Sequence, residues 1–396
     1  MQPTLTAERK RITSIDLLRG LVMIIMALDH TRDFFHKEAF TGDPLDLANT
    51  SAFLFFTRWI THFCAPVFVF LSGMSAWLLG MRKPKGELCR FLISRGAWLI
   101  LIEVFVVTFG ITGDIHYGFI VLQVIWAIGV SMIILGLAIW LPYNLLLALG
   151  IVIVCGHNLL DFAEKNAGTD LPFWWYLLHK QTVVPLWNNH LLGVFYPLLP
   201  WIGLMMLGYC SGKIFAAFDL KKRNTVLLGA GIGILVFFIA LRFINVYGDP
   251  VPWTVQSNNL FTLLSFVNVQ KYPPSLLYLC LTIGAAFIFL ALAKTNGWLS
   301  RIIIVFGRVP FFYYIIHFYL LHALSFIAYL LRGHSLAEGM AGVPELPFKF
   351  IKPGEGFSLP GVYITWILVV IILYPLCKWY DHYKNKHKEK WWLSYL

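Results

Sequence analysis

One apolar stretch near the start of the chain carries an unusual number of ionisable side chains. The segment SIDLLRGLVMIIMALDHTRDFF holds them towards its two ends: Asp16, Arg19, Asp29, His30, Arg32 and Asp33. An ionisable group at membrane depth costs about 2.5–3.5 kcal/mol on insertion scales, so such residues point to function unless they pair or reach the interface. This cluster is the first candidate for chemistry.

The spacing of these residues predicts three pairs on a helix. Residues three apart are neighbours on one helical face, and the pairs are Asp16 with Arg19, Asp29 with Arg32, and His30 with Asp33. Mutual neutralisation accounts well for the first pair. It accounts less well for His30, because an imidazole oriented by Asp29 or Asp33 has the arrangement of a general base for an amine or hydroxyl.

The composition of the chain is that of a membrane protein. Of its 396 residues 59% are hydrophobic and 13% are charged, whereas soluble domains carry roughly 25% charged residues. We predict an all-α fold, a polytopic membrane protein with about ten transmembrane helices. The net charge of +11 comes without a basic stripe among aromatics, which argues against nucleic acid as a partner. The six cysteines show no CxxC spacing and there is no HExxH or haem motif, so no metal is expected.

The elements that must position the charged cluster are membrane spans, each needing about 20 apolar residues. We predict spans near 15–35, 54–80, 91–111, 117–139, 143–160, 191–212, 225–244, 276–293, 303–331 and 361–379. Lys and Arg gather in alternate connections, at 9–11, 82–90, 213–223, 294–308 and 378–390. The positive-inside rule places these segments, and with them the N- and C-termini, in the cytoplasm. The longer connections, near 36–53, 161–190, 245–275 and 332–360, are expected on the other side.

The chain shows neither a low-complexity tract nor a transporter-like internal repeat. We therefore predict a single domain over 1–396, with a cytoplasmic segment 1–13, a helical membrane bundle 14–380 and a basic cytoplasmic tail 381–396. The lipid bilayer is its first partner, and a homodimer is left open.

Polar residues in or beside several spans are candidates for the wall of an outward-facing cleft that binds an acceptor. They are Arg32 in the first span, His62 in the second, Gln123 and Trp126 on one face of the fourth, Lys271 and Tyr272 before the eighth, and Tyr313 and His317 in the ninth. Each also has a structural interpretation. A Gln inside a bundle, for example, more often bonds a neighbouring helix than a substrate.

Three segments resemble a known family of membrane enzymes. RITSIDLLRGLVMIIMALDHTRDFF and RWITHFCAPVFVFLSG are similar to the start of the bacterial relatives of heparan-α-glucosaminide N-acetyltransferase, in the wider transmembrane acyltransferase superfamily. The separation of Arg19 from His30 resembles the Arg-x10-His pattern of integral-membrane O-acetylases, in which that His is taken as catalytic. GRVPFFYYIIHFYLLH resembles their late Tyr-rich helix. The lysosomal enzyme departs from the pattern, since its His lies slightly later, and this leaves His36 and His62 as rivals of His30.

The resemblance implies transfer of an acyl group, usually acetyl, from cytoplasmic acyl-CoA to an amine or hydroxyl of a sugar or glycan across a bacterial cytoplasmic (inner) membrane. His30 acts either as general base or as transient acyl carrier. The phosphates of CoA favour basic side chains. The residues expected to bind it at the cytoplasmic mouth are Asp16 with its partner Arg19, Arg95 and Arg308. The acceptor and the acyl chain length stay open.

Two other functions are open at this level. A proton-coupled transporter would use Asp29, His30 and Asp33 as a proton path, although matching halves with broken spans are not recognisable. A structural partner of envelope enzymes would tolerate the loss of His30. Dependence of the activity on acyl-CoA separates the enzyme from both.

Overall fold

Helices make up most of the chain, whose computed structural model describes residues 12–168, 171–343, 346–390 and 393. In chain order they are α1 (Thr13–Phe35), α2 (Ala52–Trp59), α3 (Cys64–Gly80), α4 (Lys85–Ile102), α5 (Thr108–Thr112), α6 (Val124–Ala138), α7 (Tyr143–Gly156), α8 (Leu160–Ala167), α9 (Phe173–Leu178), α10 (Leu198–Ala217), α11 (Leu220–Ile244), α12 (Asn259–Val267), α13 (Leu276–Leu292), α14 (Trp298–Arg308), α15 (Pro310–Leu331), α16 (Leu336–Ala341) and α17 (Leu359–Lys386). Nearly all of the predicted N-terminal segment 1–13 and the last part of the tail 381–396 lie outside the described residues.

Short irregular turns join some of these helices into longer rods. A 3₁₀ turn at Ile60–Phe63 continues α2 into α3, and a π turn at Glu103–Val107 continues α4 into α5. A second 3₁₀ turn, His157–Leu159, links α7 to α8. Local sequence sets several ends: the Ser51 hydroxyl accepts the Leu54 N–H at the start of α2, and Gly113 ends α5 in the left-handed conformation.

Seven helical rods in the described part of the chain are long and apolar enough to cross a membrane: Ala52–Gly80, Lys85–Thr112, Tyr143–Ala167, Leu198–Ala217, Leu220–Ile244, Pro310–Leu331 and Leu359–Lys386. Val124–Ala138 and Leu276–Leu292 are apolar but shorter. Helix α1 has the length of a span, with 23 residues, but it carries the charged cluster. The protein is therefore a multi-pass membrane protein, whereas the count of ten spans and the side of each terminus stay predictions.

Three predicted span boundaries are wrong. The stretch 303–331 is not continuous, because α14 ends at Arg308 and α15 begins at Pro310, which has no N–H to donate into a preceding turn. The stretches 117–139 and 191–212 begin as strands and become helical only at Val124 and Leu198.

These strands form a small sheet that the all-α prediction missed. It consists of β1 (Phe119–Leu122), β2 (Thr182–Pro185) and β3 (Leu191–Val194) in the order β1-β3-β2. Strand β3 runs parallel to β1, with Phe119 opposite Leu191, and antiparallel to β2, with Thr182 opposite Val194. Short apolar strands that lead directly into apolar helices cannot be separated from them by hydrophobic periodicity.

Helix α1 lies at the centre of the bundle. It packs against α3, α13, α14, α15 and α17, and most of its residues are buried. The Trp366 indole N–H donates to the Ile24 carbonyl at 2.8 Å, and the Cys64 thiol donates to the Val22 carbonyl at 3.3 Å. The middle of α1 is thus enclosed by protein, and Asp16, Asp29 and Arg32 towards its two ends are also buried.

Helices α1 and α14 approach so closely that their backbones touch through two glycines. A Cβ atom on Gly20 would overlap the carbonyl oxygen of Ile303, and a Cβ on Gly307 would overlap the carbonyl oxygen of Asp16. Small residues at such a crossing allow van der Waals contact between backbones, which is a main source of helix association in membranes. This contact fixes the beginning of α1 against α14.

We expect Gly307→Ala to destabilise the protein by about 1–3 kcal/mol, because the added methyl must separate two packed backbones. Gly233→Ala is the matched control, since a Cβ on Gly233 in α11 meets nothing within 4 Å. Thermal unfolding in detergent, followed by tryptophan fluorescence, should show a lower midpoint for Gly307→Ala only. Equal midpoints for the two variants would contradict the close crossing.

Candidate active site

A cavity of about 100 Å³ opens beside the last two turns of α1. Its lining combines acidic, basic, amide and phenolic side chains with an apolar floor: Met26, Asp29, His30, Asp33, Arg58, Thr61, Cys64, Ala65, Phe68, Gln123, Val124, Tyr196, Lys271, Tyr272 and Tyr314. Binding pockets for whole ligands usually measure roughly 300–1,000 Å³. The cavity is therefore smaller than a site that encloses a whole ligand.

The Asp29 carboxylate is the electrostatic centre of the cavity. It accepts a hydrogen bond from the Arg58 guanidinium, its Oδ1 lies 3.3 Å from Arg32 Nη2, and its Oδ2 lies 3.8 Å from Lys271 Nζ. Arg58 also donates to the Thr61 hydroxyl at 3.3 Å. Three cations from α1, α2 and the segment before α13 thus surround one carboxylate that is 10% exposed.

His30 stands on the cavity wall with its side chain 17% exposed. Its Nδ1 lies 3.9 Å from Asp33 Oδ2, which is an ion-pair distance and too long for a hydrogen bond. Asp33 is held instead by Arg32, whose Nη2 lies 2.5 Å from Asp33 Oδ1. The predicted spacing of the pairs on α1 is confirmed, and Arg32 bridges the two carboxylates on either side of His30.

His317 lies behind His30 and off the cavity wall. The two ring centroids are 5.3 Å apart, and Phe318 packs against His30 at 4.4 Å. His317 Nδ1 lies 2.5 Å from the Tyr314 carbonyl oxygen. Because a carbonyl oxygen can only accept, a neutral His317 ring must carry its proton on Nδ1. Its Nε2 then has a free lone pair and no hydrogen-bond partner in the described part of the chain.

The segment between α12 and α13 supplies Lys271 and Tyr272. The Lys271 ammonium lies 5.1 Å from the centre of the Tyr272 ring. Burial raises the pKa of Tyr272, but the Lys271 ammonium and the Arg58 guanidinium outweigh it, and the pKa lies below its usual value. A phenol of this kind donates a strong hydrogen bond to a developing negative charge. Tyr196 accepts from Tyr272 at 3.5 Å, the outer limit of a hydrogen bond.

Of the other predicted acceptor-binding residues, only Gln123 lines the cavity. Its backbone N–H donates to Glu103 Oε1 at 2.8 Å. The His62 ring is fully buried and packs against Tyr278 with the ring centroids 5.3 Å apart. Trp126 lies on α6, beyond the cavity lining. Tyr313 is fully buried beneath His317, with which it stacks at 5.6 Å.

The residues predicted to bind CoA lie at the opposite end of α1 or on other helices. Asp16 Oδ1 and Arg19 Nη1 are 3.5 Å apart, and Arg19 also donates to Ser75 Oγ at 3.1 Å. Arg308 on α14 pairs with Asp381 at 3.3 Å, and Arg95 is half-buried on α4. With a rise of 1.5 Å per residue, about 16 Å of helix separate Arg19 from His30. The structure does not bring this set to the cavity.

Several cavity residues were not predicted from sequence. Arg58 is the clearest, since it lies four residues before His62 in the same span and is itself a charged residue in an apolar helix. The sequence therefore did indicate Arg58, because the cost of inserting a charged residue into a membrane, which drew attention to the first span, applies equally to this arginine. Tyr314 lies in the Tyr-rich segment GRVPFFYYIIHFYLLH, from which Tyr313 was chosen instead, and Tyr196 carried no comparable signal.

The fold and the cavity define a class, a multi-pass membrane protein with a partly buried, polar site among its helices. A family profile described as heparan-alpha-glucosaminide N-acetyltransferase, catalytic, matches residues 11–247. Because this is more than half of the 396 residues, the chain belongs to that family. The family makes the protein a membrane acetyltransferase, which confirms the resemblance seen in its sequence. Curated proteins give no match to the chain.

The matched region contains α1 to α11 and most of the cavity wall. Lys271, Tyr272 and Tyr314 lie beyond it. The part of the chain after residue 247 therefore completes a cavity whose other lining residues fall within the matched part.

We expect Arg58→Ala to lower the free energy of unfolding by about 3–5 kcal/mol, because it removes the hydrogen-bonded partner of the buried Asp29 carboxylate. Lys83→Ala is the control. It breaks a pair with Glu87 in which the side chains are 40% and 60% exposed, and such pairs contribute about 1 kcal/mol or less. Unfolding in mixed dodecyl maltoside and SDS micelles measures both. Similar losses for the two variants would show that Arg58 is not compensating a buried charge.

Proposed function

We propose that the protein transfers an acetyl group from cytoplasmic acetyl-CoA to an amine or hydroxyl of a sugar or glycan on the other side of the membrane, with His30 as general base or acyl carrier. The observation that carries this proposal is the partly exposed imidazole of His30 in a cavity that also contains Asp29, Lys271 and Tyr272. Membership of the acetyltransferase family supplies the reaction class.

In direct transfer, the acceptor attacks the thioester carbonyl while His30 removes its proton. The oxyanion of the tetrahedral intermediate would lie near the Lys271 ammonium and the Tyr272 hydroxyl, which stabilise negative charge. The C–S bond then breaks, the CoA thiolate takes the proton from His30, and the acetyl group stays on the acceptor. Asp33 supports the positive charge on His30 from 3.9 Å.

In the relay, a nitrogen of His30 attacks the thioester, the C–S bond breaks, and CoA leaves as the thiol with the imidazole proton. The acceptor then attacks the acyl-imidazole, the C–N bond breaks, and the acceptor proton returns to His30. Both routes need the thioester to reach the cavity from the basic end of α1. For the donor we propose contacts of its phosphates with Arg19, Arg95 and Arg308, with Asp16 holding Arg19 in place. Arg308 is the more accessible of the two ion-paired arginines, with 36% of its side chain exposed against 17% for Arg19.

The proposed orientation follows from charge. The basic segments 82–90, 213–223 and 294–308, the last of which includes α14, are assigned to the cytoplasm by the positive-inside rule. The cavity at the far end of α1 then belongs to the opposite face. We propose about ten spans, one domain and a bacterial cytoplasmic membrane on the basis of the same pattern and the resemblance to bacterial relatives.

We expect His30→Ala to reduce kcat for acetyl transfer by about 10²–10⁴-fold, the usual contribution of a positioned base, with little change in acetyl-CoA binding. The assay follows CoA release and acetylated sugar in proteoliposomes. His116→Ala is the matched control, because His116 is exposed in a connecting segment away from the cavity.

His36→Ala and His62→Ala complete the series, since both residues are rivals for the role of base. Activity of His30→Ala within about two-fold of the wild type, or a larger loss in either rival, would overturn the assignment. Labelled acetyl on protein incubated with acetyl-CoA alone would support the relay. Its absence from a His30-dependent enzyme would favour direct transfer.

A further inference from the structure

A second cluster of ionisable side chains lies outside the cavity of the candidate active site. Asp161 and Glu164 are three residues apart and share one face of α8, and His179 follows the end of α9. We call these residues the α8–α9 cluster. One ligand atom from each of the three lies within 4.8 Å of the other two. The fold thus brings together a nitrogen of His179 and carboxylate oxygens of Asp161 and Glu164, residues up to 18 positions apart in the sequence.

The cluster is largely shielded from solvent. The side chains of His179 and Glu164 are 1% and 12% exposed, and His179 Nδ1 lies 2.8 Å from Glu164 Oε1. Two carboxylates beside one imidazole carry a net negative charge even when the imidazole is protonated. A divalent cation in place of that proton would balance the charge of the cluster.

Each of the three residues is held by a further polar group. The Trp175 indole N–H donates to Glu164 Oε1 at 2.6 Å, and the Asn158 amide donates to Asp161 Oδ2 at 2.8 Å. His179 Nε2 lies 3.1 Å from His157 Nδ1. Metal-binding histidines and carboxylates have this kind of support, in which the second ring nitrogen of the histidine bonds to a neighbouring group.

We propose that the α8–α9 cluster is a Zn²⁺ site with Asp161, Glu164 and His179 as protein ligands. Zinc accepts nitrogen and carboxylate ligands at about 2.0–2.2 Å and commonly adds water to three protein ligands. Calcium requires about six to eight oxygen ligands, which this set does not supply. Binding replaces the proton on His179 Nδ1 with the metal, and Nε2–H then donates to His157 Nδ1.

A neighbouring cavity of about 160 Å³ is lined by Asp161 and Asn158, so a metal ion can reach the α8–α9 cluster through it. The site also lies close to the active-site segment. The Asn158 side-chain oxygen accepts the Leu276 N–H at 2.8 Å, at the start of the helix that follows Lys271 and Tyr272. We infer a structural role for the metal, which would hold the connection between α7 and β2 against the beginning of α13.

The test measures metal content directly, so it is independent of the proposed acetyl transfer. Tag-free protein in detergent is saturated with ZnCl₂, dialysed, and analysed by inductively coupled plasma mass spectrometry, with affinity from calorimetry. We expect one bound zinc per wild-type chain and none in Asp161→Asn/Glu164→Gln. The control Glu38→Gln/Glu87→Gln neutralises two exposed carboxylates and should keep the zinc.

A supporting variant is His157→Ala, which leaves the three ligands in place but removes the partner of His179. Loss of such a partner typically weakens metal binding by about 10–100-fold. Thermal unfolding of the wild type with ZnCl₂ and with MgCl₂ is a test that needs no variant, in case a variant fails to fold. Only zinc should raise the midpoint of the wild-type unfolding transition. Wild-type protein without stoichiometric zinc, or equal zinc content in the double variant and the control, would overturn the proposal.

Discussion

The Asp29 carboxylate and its three cations hold the active-site end of the bundle together. A buried carboxylate without compensation is costly, and removing one partner of a buried pair typically costs several kcal/mol. The compensation of Asp29 comes from Arg32 in its own helix, Arg58 in α2 and Lys271 before α13. These segments must therefore dock together for the charge to be tolerated, and their docking also forms the cavity around His30.

The two ends of helix α1 are packed differently. Its beginning is packed backbone to backbone against α14 through Gly20 and Gly307, which fixes the position of Asp16 and Arg19. Its end borders an open cavity in which His30 is partly exposed. A rigid helix with one closely packed end and one end on a cavity keeps the proposed donor contacts and the proposed base at a constant separation.

Much of the helical architecture could be predicted from hydrophobic length, because each predicted span contains a helix. The pairs on α1 were also predictable, since a spacing of three is a property of any helix. The role expected for Asp33 stays a prediction: its Oδ2 lies 3.9 Å from His30 Nδ1, while Arg32 contacts its other oxygen, Oδ1. The break at Val309 and the small sheet were missed, because apolar strands, helices and helix junctions look alike in an apolar sequence.

The sequence by itself determined that this protein is a helical membrane protein with a charged first helix, and it identified the family. These conclusions rest on composition and on the spacing of residues close in sequence, and both can be read without knowledge of the fold. Only the tertiary structure decided which distant residues share a site, as with Arg58 and Lys271 around Asp29, or His179 beside Glu164. The physical reason is that such contacts depend on how helices cross and where connections return, and neither is encoded in the residues on each side of a given position.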